Sequence, residues 1–189
     1  MKQIAIILFI AIAFNHALLA QNSNSSKSTK DDENMNLLKE GTMAPDFKAI
    51  NQAGKQISLS EYKGKKVILY FYPKDDTPGC TAEACNLRDN YSDLTKKGFV
   101  VIGVSPDAEN SHQKFASKYD LPFNLIADTS KTILNKYGVW GVKKMYGKEY
   151  EGVLRTTYVI DEQGKIVKVI PKVETGDHAK QILSELKMD

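Results

Sequence analysis

The chain has 189 residues, with 26 Lys and Arg against 23 Asp and Glu and a formal net charge of +3. Basic residues alternate with acidic ones, so no nucleic-acid face is laid out along the chain. His16, His112 and His178 lie far apart and the Cys80–Cys85 spacing fits no short zinc pair, so no metal-ligand cluster is written in sequence order.

Met1 to Ala20 opens with Lys2, runs through apolar Ile4 to Phe14 and ends Ala17-Leu18-Leu19-Ala20, the pattern of a secretory signal peptide cut after Ala20. That run is shorter than the roughly 20 residues a membrane span needs. An uncleaved anchor is the alternative, and export to a periplasm or the exterior is the expectation. Residues 21–36 are Ser, Asn, Asp and Lys with almost nothing to bury, a flexible linker. Residues 37–189 suffice for one domain with one core.

Within that domain, Phe47 to Ile50 and Gln56 to Leu59 read as short strands, and Lys66 to Tyr72 and Phe99 to Val104 as central strands buried on both faces. Between the latter two, Cys80, Ala84, Leu87, Tyr91 and Leu94 trace one helical stripe, with Cys85 off it. Ser105-Pro106 reads as the cap and first residue of a second helix with Ala108, His112, Phe115, Ala116 and Tyr119 on one face. A short helix follows from Ser130 to Tyr137. Trp140 reads as core or packed loop, and Val142 to Lys148 as a solvated basic loop. Thr156 to Ile160 and Ile166 to Ile170 form a hairpin around Asp161-Glu162-Gln163-Gly164, and Ala179, Ile182, Leu183 and Leu186 line a final helix. The order βαβα then ββα is that of an α/β, thioredoxin-like fold with a central mixed sheet flanked by helices. The three histidines read as surface or helix positions without chemistry.

One segment, Tyr70 to Cys85, holds both cysteines and places the first where a strand gives way to a helix. Pro78-Gly79 turns the chain out of the strand, placing Cys80 in the first helical turn, where unpaired N–H groups and the positive end of the macrodipole favour thiolate over thiol. Cys85 follows five residues later. On an ideal helix that is about 8.7 Å between α-carbons, beyond the roughly 7 Å a disulfide tolerates. A Cys80–Cys85 bond on one helix therefore requires unwinding, as suits a bond made and broken repeatedly. Two buried small hydrophobes, or a permanent bridge, are the bland alternatives.

The segments Phe71-Tyr72-Pro73, Thr77-Pro78-Gly79-Cys80-Thr81, Glu83-Ala84-Cys85 and Leu87-Arg88-Asp89 closely resemble the active-site region of the peroxiredoxins, in particular the bacterioferritin comigratory protein subfamily. The resemblance continues through Tyr137-Gly138-Val139-Trp140-Gly141, Tyr146-Gly147-Lys148 and Arg155-Thr156-Thr157-Tyr158-Val159-Ile160-Asp161. It implies a thioredoxin-like fold of peroxiredoxin type and a Pro-x-x-x-Thr-x-x-Cys motif met by Pro73, Thr77 and Cys80. It further implies Cys80 as the peroxidatic thiol, Cys85 as the resolving one, and Arg155 as the arginine completing the site; Arg155 rests on this match alone.

The implied roles have physical reasons. A peroxide is split when a thiolate attacks one oxygen while the other leaves with developing charge. Arg155 would hold both the thiolate and the polarised O–O bond. The Thr77 hydroxyl can donate and accept, although Thr77-Pro78 also reads as an N-cap with proline at the first helical position. Pro73 would shape the loop and shield the thiolate. The implied partners are a peroxide and a thioredoxin-like dithiol reductant, with no metal, flavin or haem cofactor, no nucleic acid, and a monomeric state. An exported dithiol-disulfide oxidoreductase is the runner-up, disfavoured because Cys-x-x-Cys is absent. A metal-delivery protein on the same fold is disfavoured by the lack of a nearby histidine.

Overall fold

A computed structural model describes residues 36–145 and 147–188. The proposed leader (1–20) and nearly all of the proposed linker (21–36) lie outside the described residues.

The elements in order are β1 (Lys48–Ile50), β2 (Gln56–Ser58), a 3-10 turn (Leu59–Tyr62), β3 (Lys66–Phe71), α1 (Pro78–Asp89), α2 (Tyr91–Lys96), β4 (Phe99–Ser105) and α3 (Glu109–Lys118). They continue with β5 (Asn124–Ala127), α4 (Thr132–Lys136), β6 (Trp140–Met145), β7 (Lys148–Val153), β8 (Thr156–Ile160), β9 (Ile166–Ile170) and α5 (His178–Glu185). A five-stranded sheet has the order β5-β4-β3-β8-β9. β3, β4 and β5 are parallel neighbours, whereas β8 runs antiparallel to β3 and β9 to β8, so the sheet is mixed.

β3 is apolar without interruption because both its faces are covered. Ile68, Tyr70 and Tyr72 face a core closed by α1, α2, α3 and α5; Val67, Leu69 and Phe71 face a second core under β1, β2 and α4. Gly103 of β4 is needed there. A Cβ on it would come within 2.7 Å of the Tyr70 ring and hydroxyl, so the missing side chain makes room for the tyrosine. At Gly138, with φ +67, a Cβ would stand 1.9 Å from the Asn36 carbonyl oxygen.

The structure departs from the sequence reading at five places. The single helical stripe from Cys80 to Leu94 is divided into α1 and α2 at Asn90, whose φ −98, ψ 7 leaves the helical register. The expected Ser105-Pro106 cap is a turn instead: Ser105 ends β4, its hydroxyl donates to Asp107 Oδ2 at 2.9 Å, and α3 starts only at Glu109. β5 is an additional strand, too short to stand out by periodicity. The expected basic loop is instead the end of β6, the turn and the first residue of β7 in an antiparallel hairpin, turned at Gly147 with φ +76. His112 and His178 are helix positions, on α3 and α5, but both are fully buried, so the surface alternative fails. Trp140 is partly buried against the second core, with Lys131 Nζ 4.3 Å above its ring.

Candidate active site

The register of the sheet brings the two ends of the site together. Phe71, the last residue of β3, pairs with Thr156, the first of β8, so Arg155 enters beside the point where the chain leaves β3 for α1. Thr77 takes the N-cap position, with extended φ −98, ψ 151, and Pro78 is the first helical residue. Cys80 thus lies in the first turn, 1% exposed, and Arg155 Nη2 donates to its Sγ at 3.2 Å. Burial works against the Arg155 charge, and Glu83 and Cys80 more than offset it, raising its already high pKa.

Glu83, one turn after Cys80, escaped the sequence reading, which treated it only as part of a matched motif. It is fully buried and pairs through Oε2 with Arg155 Nη1. One guanidinium therefore uses one arm for the thiol and the other for a carboxyl, the bidentate use that a lysine cannot reproduce. Burial pushes Glu83 up to about 7, with Arg155 opposing the rise. Its available signal was spacing: three residues from Cys80, it shares the inward face of α1.

Lys143, assigned to a solvated loop by sequence, is on β6 and half-buried, donating through Nζ to the Val153 carbonyl at 3.1 Å. Burial first, and then the Arg155 charge, hold its pKa below the usual lysine range, with Cys80 opposing them.

The loop between Tyr72 and Pro78 is pinned from beneath. Asp75, 7% exposed, accepts from Tyr72 Oη at 2.7 Å and Ser111 Oγ at 2.7 Å, and its Oδ2 lies 2.8 Å from His112 Nδ1. His112 Nε2 lies 3.0 Å from the Ile126 carbonyl. Burial alone would raise Asp75; the hydrogen bond and charge of His112, with Ser111 and Tyr72, hold its carboxyl below the usual range. The sequence reading put His112 on one helical face with Phe115 and Ala116 but gave it no task.

The remaining expected residues divide. Thr77 is at the cap, but its hydroxyl donates to the Lys74 carbonyl at 3.0 Å and makes no side-chain cap bond. Pro73, half-buried, opens the loop immediately after Tyr72. Cys85 is a free, half-buried thiol on the same unbroken α1 as Cys80, also free. Among the described residues no three His, Cys, Asp or Glu side chains converge as a metal site.

The chain is similar to known proteins along most of its length. The AhpC/TSA family model matches residues 41–169. The chain is 45% identical over 147 residues to peroxiredoxin Bcp of Bacillus subtilis, covering 78% of this chain and 94% of that protein. It is 42% identical over 153 residues to peroxiredoxin Bcp of Escherichia coli K12, covering 81% and 98%. Among solved structures, peroxidoxin BcpB of Mycobacterium tuberculosis superposes with TM-score 0.70 at 32% identity over 79% of this chain and 97% of that one. The Xanthomonas campestris bacterioferritin comigratory protein, described for its alkyl peroxide reduction activity, superposes with TM-score 0.70 at 33% identity over 75% and 90%. The chain belongs to the AhpC/TSA family and is a peroxiredoxin of the bacterioferritin comigratory protein type, a thiol peroxidase on a thioredoxin-like fold.

Proposed function

We propose that this peroxidase reduces hydrogen peroxide and organic hydroperoxides at Cys80, with Cys85 resolving the product within the same chain. The observation that carries the reading is the Arg155 donor 3.2 Å from a sulfur that is 1% exposed. The Cys80 thiolate attacks one peroxide oxygen, the O–O bond breaks, and the second oxygen leaves as water or alcohol after taking a proton, giving a sulfenic acid on Cys80. Arg155 stabilises the charge that develops on the leaving oxygen. The first turns of α1 then unwind, Cys85 sulfur displaces the sulfenic oxygen as water, and a Cys80–Cys85 disulfide forms. An external dithiol of the thioredoxin type returns both thiols by exchange. Pro73 and the Thr77–Lys74 hydrogen bond shape the loop over the thiol.

Burial of Cys80 weighs against the dithiol-disulfide oxidoreductase alternative, since a peroxide is small enough to reach the sulfur and the disulfide of a folded protein is not. Resolution inside one chain needs no second subunit, which supports a monomer. Export rests on the pattern of residues 1–20.

The test is single-turnover mixing of the reduced protein with stoichiometric hydrogen peroxide, followed by thiol counting and intact mass. Loss of two thiols and about two mass units without dimer formation is the expected outcome. Cys80→Ser abolishes peroxide consumption, and Cys85→Ser slows or redirects turnover. Peroxide turnover persisting in Cys80→Ser would overturn the assignment.

A further inference from the structure

The segment that carries both cysteines is gripped at its two ends by one residue of another helix. Tyr119 caps the C-terminus of α3 and packs edge-on to Phe115, with ring centroids 5.3 Å apart. Its hydroxyl donates to Asp76 Oδ1 at 2.6 Å, one residue before the Thr77 cap of α1. Its main-chain carbonyl accepts from Arg88 Nη1 at 2.7 Å, in the last turn of α1. Between the two grips run Thr77 to Leu87, with Cys80 and Cys85 among them.

The grips differ in kind. Arg88 is half-buried, and its Nε and Nη2 are further held by Asp89 Oδ1 at 2.8 and 2.7 Å. Asp76 is exposed. Lys118 Nζ donates to both Asp76 oxygens, at 2.8 and 2.7 Å, so three short hydrogen bonds from two adjacent residues meet on one carboxylate. Lys118 Nζ also lies 5.0 Å from the centre of the Tyr119 ring, so the two donors brace each other. A lone exposed ion pair contributes little; converging donors in fixed geometry contribute more.

Asp76 turns the chain with φ 55, the left-handed region that few non-glycine residues adopt. The turn sends two neighbouring carboxylates opposite ways. Asp75 points inward to Ser111 and His112 near the start of α3, and Asp76 outward to Lys118 and Tyr119 at its end. Such a backbone conformation persists where the surroundings fix it.

For Cys85 to reach Cys80 the helix between them must unwind, and a helix frays from an end. α1 runs on into α2 at Asn90, so the end free to open is the one behind Asp76. We propose that Asp76, Lys118 and Tyr119 form a latch that sets how often α1 opens, and through it the rate at which Cys85 resolves oxidised Cys80. They are positioning residues, acting on the sulfurs through the chain between the grips. With the latch closed, Cys80 stays beside Arg155, the arrangement peroxide attack needs. With Asp76 released, the first turns of α1 unwind as far as Arg88, which stays on Tyr119. Only hydrogen bonds break in this step. The inference rests on Cys85 resolving Cys80 within one chain.

The experiment uses Tyr119→Phe, which keeps the ring on Phe115 and loses only the hydroxyl, and Asp76→Asn, which tolerates the left-handed turn but offers Lys118 no charge. After quenched-flow mixing with hydrogen peroxide, the Cys80–Cys85 disulfide forms roughly fivefold faster in Tyr119→Phe, the effect of one lost hydrogen bond, and faster still in the double variant. The second-order rate of Cys80 oxidation stays at the parent value, because the closed form still predominates; a merely structural residue would slow oxidation too. In the reduced protein without peroxide, hydrogen exchange of the amides of residues 82–86 rises by the same factor, and that of Asp89 does not. Exchange that rises in the variants while no protein, the parent included, forms the intrachain disulfide leaves the latch standing and overturns resolution by Cys85. Exchange and resolution at the parent rates, or oxidation slowed along with them, overturn the latch.

Discussion

Asn86 and Ala179 join the helix that carries both cysteines to the helix behind it. Ala179 N donates to Asn86 Oδ1 at 2.8 Å, and Asn86 Nδ2 donates to the Gly176 carbonyl at 2.9 Å, so one side chain next to Cys85 clasps the start of α5. If α1 must unwind for Cys85 to reach Cys80, this clasp resists it. Asn86→Ala removes two hydrogen bonds worth about 1 kcal/mol each, so the unwound form becomes roughly 30-fold more populated. Resolution accelerates by a similar factor, and less Cys80 reaches sulfinic acid at high peroxide. Quenched-flow thiol counting and the sulfinic mass adduct measure this; a resolution rate indifferent to Asn86 would place the opening elsewhere.

Arg155 serves sulfur and carboxylate with different nitrogens. Arg155→Lys keeps a charge but not the fork, so it cannot hold both in place. Losing a charge-assisted hydrogen bond of about 1.5–3 kcal/mol slows the second-order oxidation of Cys80 by roughly 10–100-fold, and Arg155→Met slows it more. The decisive measurement is the rate of thiol loss under excess hydrogen peroxide; a lysine variant as fast as the parent would show that charge alone suffices.

The Asp75–His112 pair ties the active-site loop to α3 from inside the protein, both partners being buried. Replacing His112 with Leu leaves a buried carboxylate short of a partner and costs about 3–5 kcal/mol. Replacing both Asp75 and His112 with apolar residues costs less than the single change, since no charge is stranded. Urea unfolding of the two variants separates these outcomes, and a double variant no more stable than His112→Leu would argue against the stranded charge.

How far the fold could be read follows from which residues pack on what. β3 and β4 were legible because burial on both faces leaves an unbroken apolar run, and α5 because Ala179 and Ile182 turn inward while Lys180 and Ser184 do not. The β6–β7 hairpin was not: Val142 and Tyr150 are largely exposed, so no alternation between core and solvent marks it. Cys80 was legible from its place at a strand-to-helix turn. Arg155 is 75 positions away in the chain and reaches the sulfur only through the β3–β8 register, which local pattern does not encode. Glu83, His112 and His178 look like ordinary polar helix residues until the sheet and helices close around them.

Glu83 and His178 give opposite signs to the pH dependence of stability. Burial raises Glu83 from 4.5 to about 7, so the folded state binds that proton more tightly; its stabilisation is full below pH 4.5 and lost as pH rises through about 7. Burial lowers His178 from 6.5 to about 4, so its contribution is present above pH 6.5 and lost as pH falls through about 4. Between pH 4.5 and 6.5 the two slopes oppose, because the two groups together bind one proton in either state: Glu83 when folded, His178 when unfolded. His178→Asn unmasks the glutamate, and stability relative to the parent falls with rising pH at a slope of about one proton. Glu83→Gln unmasks the histidine, and the relative slope reverses. Urea unfolding across that window reads both. Parallel profiles for parent and variants would mean that neither buried group titrates with folding.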